Sequence, residues 1–302
     1  MSYDILVLGS GPAGLAAAVA VRGRGKSVLV IGNRWQDSPL ARAERVDNYL
    51  GLPASSGKEL LAQFYDHAVK AGADFVTGRA VSMMVYGGVF ATVGSQVYDG
   101  KALILAPGVQ RQAKYPGEET YLGRGVSYCA TCDGMLYRGR EVAIVGGGNT
   151  AVGDALTLAR LAGRVTLIHR RDALRASAVY LDKLRENGVN IVWNTEVKAL
   201  QGDDRLTGLV LRNKVTGEES TLPVDGLFVA VGRRPETALF RGQLETDEAG
   251  YLIADETTRT SLPGVYAVGD VRRKPVRQIL TAAADGAVAA HYIEEYLAGN
   301  RA

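Results

Sequence analysis

A strand, a glycine turn and a helix occur twice in this chain, and that duplication constrains the fold more than any other feature. Residues 5–8 form a continuous apolar run, followed by Gly9-Ser10-Gly11-Pro12-Ala13-Gly14, a small apolar stretch over 15–21 and a second apolar run over 27–31. Continuous rather than alternating apolar strands suit parallel sheets covered on both faces. The pattern returns with the apolar strand 141–145, the turn Gly146-Gly147-Gly148-Asn149-Thr150-Ala151, a helix to about 161 and a strand over 165–168. Gly9 and Gly146 stand 137 residues apart. Each unit is followed by another apolar strand ending in glycine, at Gly108 and Gly232. A third such strand runs into Gly269-Asp270 and precedes a C-terminal helix over about 276–297. Apolar spacing predicts a further helix over about 58–71, and residues 75–105 read as an antiparallel meander. The expectation is an α/β protein with two Rossmann-like dinucleotide-binding domains.

Each glycine of such a turn has a task. In Gly9-x-Gly11-x-x-Gly14 the first permits the tight turn, the second lets backbone approach a pyrophosphate, and the third lets helix and strand pack closely. The helix N-terminus, with Pro12 and Ala13 in its first turn, then offers N–H groups and a positive dipole to the phosphates. Gly146-x-Gly148-x-x-Ala151 is a second fingerprint, with alanine in the last place. A unit that binds NAD usually places an acidic residue after its second strand. Here His169-Arg170-Arg171 stands there, with Arg175 just beyond. Guanidinium groups bind a 2′-phosphate that a carboxylate would repel. Arginines at a helix start would also oppose the helix dipole. NADPH is therefore the expected donor. Two different nucleotide sites predict one bound flavin and one exchangeable nicotinamide.

The electrons need somewhere to go, and the only two cysteines provide it: Cys129-Ala130-Thr131-Cys132. Thiols at this spacing can close a small disulfide ring and exchange with a partner disulfide through a mixed disulfide. Asp133 comes directly after and is a candidate acid/base group for the departing thiolate, although Asp133-Gly134 is also a common turn pair. Three distant histidines make a zinc site a poor reading of these cysteines. The chain is 47% hydrophobic and 22% charged, which excludes a disordered or fibrous class. Its net charge of +3 includes no lysine- and arginine-dense patch with interleaved aromatics, so no nucleic-acid partner is expected. No apolar run is long enough for a membrane helix, and the start lacks signal-peptide features, so the expected location is cytoplasmic.

Taken in order, Gly9-Ser-Gly-Pro-Ala-Gly14, Cys129-Ala-Thr-Cys-Asp133-Gly134, Gly146-Gly-Gly-Asn-Thr-Ala151, His169-Arg-Arg-Asp-Ala-Leu-Arg175, Gly269-Asp270 and Arg277-Gln278 closely resemble the low-molecular-weight thioredoxin reductases of bacterial type. The resemblance covers nearly the whole chain. It implies FAD in the first unit (1–113 and 244–302) and NADPH in the second (114–243), inserted into the first. It implies that Gly9, Gly11, Pro12, Ala13, Gly14, Asn48, Gly108, Gly269, Asp270, Arg277, Gln278 and Ile279 bind FAD. It likewise implies that Gly146, Gly148, Asn149, Thr150, Ala151, His169, Arg170, Arg171 and Arg175 bind NADPH. Cys132 would face the flavin, Cys129 would attack the partner, and Asp133 would supply the proton. The resemblance further implies a thioredoxin or thioredoxin-like protein as partner, and a homodimer.

The sequence departs from the family pattern in the first unit. Asn33-Arg34-Trp35-Gln36-Asp37-Ser38-Pro39 stands where a Gly-Gly-Gln-Leu segment is usual, Asn48-Tyr49-Leu50-Gly51 lacks a proline, and Ala106-Pro107-Gly108 replaces Ala-Thr-Gly. These changes leave open a ferredoxin-dependent or otherwise divergent flavoprotein disulfide reductase, or a dithiol oxidase, of the same fold. The intact second glycine turn and the arginines favour the NADPH reading. A ferredoxin–NADP reductase would lack the cysteine pair, and nothing in the sequence forms an output domain for a non-catalytic redox sensor.

Overall fold

In a computed structural model the described residues are 2–110, 114–176, 178–232 and 234–299. They divide into two compact units: Met1–Ala41, Tyr49–Arg111 and Arg233–Ala302 in one, Arg42–Asn48 and Gln112–Gly232 in the other. The expected crossing at 113/114 falls beside residues 111–113, which lie outside the described residues. The return crossing comes at Gly232 rather than at 243, and a short segment that includes Asn48 clusters with the second unit.

The first unit opens with β1 (Ser2–Leu8), α1 (Pro12–Arg22), β2 (Val28–Gly32), α2 (Gly57–Lys70) and β3 (Asp74–Thr77). It continues through β4 (Ala80–Val85), β5 (Val89–Val93), β6 (Gln96–Leu105) and the two-residue β7 (Val109–Gln110). The main sheet has the order β3-β2-β1-β6-β5-β4. β1, β2, β3 and β6 run parallel, whereas β4, β5 and β6 form an antiparallel meander. The expected meander over 75–105 is thus too long by one strand. β3 pairs with β2 in parallel, because α2 carries the chain back across the sheet face before Asp74. The predicted helix over 58–71 is α2, begun by Ser56, whose hydroxyl accepts the N–H of Glu59.

The second unit holds β8 (Val126–Ser127), α3 (Ala130–Asp133), β9 (Glu141–Val145), α4 (Asn149–Leu158), β10 (Arg164–Ile168), α5 (Ala178–Glu186) and β11 (Asn190–Val192). Next come β12 (Thr195–Gly202), β13 (Leu206–Asn213), β14 (Glu219–Pro223) and β15 (Gly226–Val229). Its parallel sheet has the order β11-β10-β9-β15-β8, and β12-β13-β14 form a separate antiparallel sheet. The chain then re-enters the first unit through β16 (Arg234–Pro235), which pairs with β7, and β17 (Val265–Ala267), which pairs in parallel with β6. It ends in α6 (Ile279–Leu297).

Both parallel sheets are buried on both faces, which is why their strands read as continuous apolar runs. In the first unit, Ile5, Val7, Val28 and Val30 face a core shared with α1 and α6. Leu6, Leu8, Leu29 and Ile31 face a second core shared with the meander. In the second, Val142 and Ile144 meet α4, whereas Ala143 and Val145 meet the β12–β14 side. Helices α1 and α6 cross at contact distance: a Cβ on Gly286 would lie 2.5 Å from Ala13 O and 2.6 Å from Ala17 N. Among the described residues no helix is long and apolar enough to cross a membrane, and no cluster could hold a metal ion.

Candidate active site

In the first unit, the carboxyl ends of β1, β2, β6 and β17 share one edge of the sheet, where ligands of open α/β sheets bind. Gly9 follows β1 with φ +122°, and its N–H donates to Ile31 O at 2.8 Å. A Cβ on Gly9 would lie 2.1 Å from Ala106 O, and one on Gly14 would lie 1.9 Å from Gly9 O. A Cβ on Gly11 would meet nothing within 4 Å. The outer two glycines therefore tighten the turn, and the middle one keeps an open face against the first turn of α1. By helix geometry, the N–H groups of that turn lack intrahelical partners. The site fits a pyrophosphate.

The Gly269–Asp270 turn closes onto this cradle. Gly269 has φ +74°, and a Cβ there would lie 2.8 Å from Ala13 Cβ. Its N–H donates to Asp285, a buried carboxylate that also accepts from Arg272 at 2.9 and 3.0 Å and from Lys274 at 2.7 Å. Burial alone would raise the Asp285 carboxyl, but the hydrogen bonds from Arg272 and Lys274 outweigh it and hold the group below the ordinary range. Arg277 spends its guanidinium on Asp270 O and Arg272 O, both at 3.3 Å, and stacks 4.1 Å from the Tyr251 ring centroid. It braces the turn through its backbone. Gln278 is the N-cap of α6 and Ile279 its first residue. Gly108, φ +71°, follows β6 with open space where a Cβ would stand. Asn48 is exposed and groups with the second unit.

Beside the Gly9 turn lies a cavity of about 220 Å³, lined by Ser10, Asn33, Arg34, Trp35, Tyr65 and Phe75 among others. Ser10 Oγ donates to Asn33 O at 2.6 Å. Asn33 and Arg34 follow directly after β2, and the next acid along the chain, Asp37, pairs with Arg34 at 3.5 Å. Residues 33–36, which depart from the family pattern, are thus walls of this cavity.

The second unit repeats the cradle. Gly146, φ +159°, follows β9, and a Cβ on it would lie 2.6 Å from Ala151 Cβ and 2.8 Å from Ala230 O. Gly148 caps α4 with nothing within 4 Å of its Cβ position, and Asn149 and Thr150, the first residues of α4, are exposed. Ala151 is buried. His169 does not reach outward as expected of a phosphate ligand. It is 6% exposed, with Nδ1 2.8 Å from Gly146 O and Nε2 3.0 Å from Ala173 O. It clamps the glycine turn to the loop after β10. Arg175 N–H donates to Gly147 O at 2.8 Å, which closes that loop. Arg170, Arg171 and Arg175 lie exposed in it and make no ion pair with any described residue. No helix begins there, because α5 starts only at Ala178. The expected conflict with a helix dipole therefore does not arise, and the case for a phosphate rests on the unpaired charges.

β8 runs parallel to β15, and β15 to β9, so the segment after β8 lies at the same sheet edge as the Gly146 turn. That segment carries a disulfide, Cys129–Cys132, half-buried at the start of α3. Gly134 seats this turn on α4, where a Cβ would lie 3.1 Å from Leu161 and 3.2 Å from Leu158. Asp133 Oδ2 accepts from Ser127 Oγ at 2.5 Å, and Cys129 N–H donates to the same Oγ at 3.1 Å. Tyr137 behind them is pushed up to about 12, chiefly by burial and next by the Asp133 charge. Tyr128 donates its hydroxyl to Glu118, a fully buried carboxylate that also accepts the N–H groups of Lys114 and Tyr115. Met135 and Leu136 are exposed immediately after the pair.

The model of the pyridine nucleotide-disulphide oxidoreductases matches residues 3–286. The chain belongs to that family. Within it, the chain groups with the thioredoxin reductases of bacterial type. It is 39% identical over 300 residues to a thioredoxin reductase of Listeria monocytogenes, covering 98% of this chain and 94% of that one. It is 40% identical to a bifunctional thioredoxin reductase/thioredoxin of Mycobacterium leprae, covering 98% of this chain and 66% of the other. The crystal structure of thioredoxin reductase from Streptococcus pyogenes superimposes with a TM-score of 0.94 at 36% identity, covering 99% of both chains. The protein is an NADPH-dependent flavin disulfide oxidoreductase with FAD and NADPH as cofactors.

Proposed function

We propose that the protein reduces the disulfide of a thioredoxin or thioredoxin-like protein through Cys129 and Cys132, and that it works as a cytoplasmic homodimer. The observation that carries this is the half-buried Cys129–Cys132 disulfide, set beside Asp133 on the carboxyl edge of a nucleotide-binding sheet. FAD, when bound, would supply the two-electron chemistry that links NADPH to a disulfide. Gly9, Gly11, Pro12, Ala13 and Gly14 would hold the FAD pyrophosphate on the first turn of α1, beside Gly108, Gly269, Asp270, Gln278 and Ile279. Gly146, Gly148, Asn149, Thr150 and Ala151 would hold the NADPH pyrophosphate, and Arg170, Arg171 and Arg175 its 2′-phosphate. His169 and Arg277 would act one step back, as braces of these two sites.

In the dithiol form, Cys129 is the attacking thiol and Cys132 the resolving one. Asp133 takes the proton of the attacking thiol and returns it to the partner sulfur that leaves. The exposed Met135 and Leu136 give an incoming protein an apolar foothold next to the pair. The names of the relatives support thioredoxin as that protein, and the two-part Mycobacterium leprae relative joins both activities in one name. A dithiol kept reduced by NADPH suits a reducing compartment.

The test is steady-state reduction of oxidised thioredoxin by the FAD-loaded protein with NADPH. The proposal expects turnover that vanishes in C129S and C132S while FAD stays bound. Turnover of a small-molecule disulfide with none of thioredoxin would move the partner elsewhere. Turnover retained in C129S would remove the cysteine mechanism.

A further inference from the structure

We infer that Ser127 is a positioning residue for the dithiol step: its hydroxyl holds Asp133 and the backbone of Cys129 in register through every change of protonation. This rests on the acid/base assignment of Asp133 made above. Ser127 ends β8 and is 3% exposed. Its oxygen lies 2.5 Å from Asp133 Oδ2, accepts the Cys129 N–H at 3.1 Å and stands 3.5 Å from Cys129 O.

A hydroxyl has one proton and two lone pairs. With Asp133 ionised, the proton points at Oδ2 in a short charge-assisted bond, and one lone pair takes the Cys129 N–H. With Asp133 protonated, the second lone pair accepts the acid's O–H, and the hydroxyl proton turns to Cys129 O. Both states are satisfied without moving a heavy atom far, so neither leaves a buried polar group unpaired.

The reaction makes that capacity matter. Asp133 takes the Cys129 proton, and the thiolate attacks one sulfur of the partner disulfide. The Cys129–partner bond forms, the partner S–S bond breaks, and the departing thiolate takes the proton from Asp133. Asp133 then takes the Cys132 proton. The Cys132 thiolate attacks Cys129 sulfur, the protein disulfide re-forms, and the second partner thiolate takes that proton. Two electrons and two protons have passed to the partner, and Asp133 has changed state four times. A group that supports only one of its states would slow half of those changes.

The experiment is a double-mutant cycle on the holoenzyme. Wild type, S127A, D133N and S127A/D133N are reduced with NADPH, and reoxidation of the dithiol by oxidised thioredoxin is followed in a single turnover. The expected result is an S127A rate down about tenfold or more, with NADPH-driven bleaching of the flavin unchanged. S127A should slow D133N far less than it slows wild type, because Ser127 acts chiefly through Asp133. S127T should recover most of the rate. An S127A effect that multiplies fully onto D133N, or an S127A rate equal to wild type, overturns the proposal alone. A D133N rate equal to wild type overturns the Asp133 assignment and the proposal with it. If S127A does not fold, S127V against S127T makes the same comparison at matched shape.

Discussion

Replacing Gly147 by alanine strikes the second cradle at a position the glycine fingerprint leaves free. A Cβ there would lie 2.0 Å from His169 Cε1, 2.2 Å from Nδ1 and 2.8 Å from Nε2. The ring cannot simply tilt away. It is buried, and its two nitrogens face Gly146 O and Ala173 O at 2.8 and 3.0 Å. Overpacking of this kind costs about 1–3 kcal/mol. Losing one buried hydrogen bond of the ring costs about 1–3 kcal/mol more. The damage reaches the coenzyme site, because Ala173 lies between Arg171 and Arg175, and Arg175 N–H is itself bonded to Gly147 O. If about 1.4 kcal/mol of it appears in binding, NADPH affinity falls about tenfold. The assay is calorimetric titration of FAD-loaded G147A with NADPH, beside a thermal melt. FAD content should stay at the wild-type level, since its cradle lies in the other unit. Unchanged NADPH affinity with an unchanged melt would refute the claim that His169 clamps this turn.

Three further outcomes rest on the same geometry. R170A/R171A should raise the KM for NADPH by about tenfold to a few hundredfold, the size of one or two charged hydrogen bonds, with KM for NADH little changed; equal losses for both coenzymes would contradict the 2′-phosphate role. D285A leaves Arg272 and Lys274 buried without their carboxylate and should cost about 3–5 kcal/mol in urea unfolding. The folded Asp285 carboxyl titrates below its unfolded value of about 3.9. Its stabilisation is therefore present above that value and lost as pH falls through the folded one, so D285A should show a flatter acid limb than wild type, and a parallel limb would contradict the ion cluster. G286A would drive a methyl into the backbone of α1 at 2.5–2.6 Å; absorbance should show FAD lost from the purified protein, whereas full flavin occupancy would contradict the close crossing of α1 and α6.

Much of the fold was legible in the chain because parallel strands buried on both faces announce themselves. Residues 5–8, 28–31, 142–145 and 165–168 read as mainly apolar runs, and all lie in strands. The glycine turns were legible for the same reason: Gly9 and Gly146 need positive φ, and Gly11 and Gly148 need an empty Cβ position. The features that escaped were set by contacts distant in sequence. β12–β14 gave no signal, since charged residues such as Glu196 and Lys198 break up a pattern already interrupted by register shifts. His169 sits in a run of basic residues and reads as one of them, but its ring turns inward to carbonyls 23 residues back and 4 ahead. Arg277 likewise reads as a ligand, and nothing in its spacing shows that its guanidinium bonds Asp270 O and Arg272 O. Nothing in the spacing of Ser127 and Asp133 marks their bond, because it depends on the chain turning back at α3. The cavity lined by Asn33, Arg34 and Trp35 could not be foreseen from a loop that simply failed to match a pattern.

The central claim is that electrons pass from NADPH through the flavin to Cys129–Cys132, and an anaerobic titration counts them. The FAD-loaded protein is titrated with NADPH while flavin absorbance and free thiols are followed. Two two-electron acceptors per chain predict that about two equivalents are needed for full reduction, with two new thiols, and that C132S needs about one. A flavin that bleaches fully with about one equivalent in both proteins, with no thiols released, would contradict the claim.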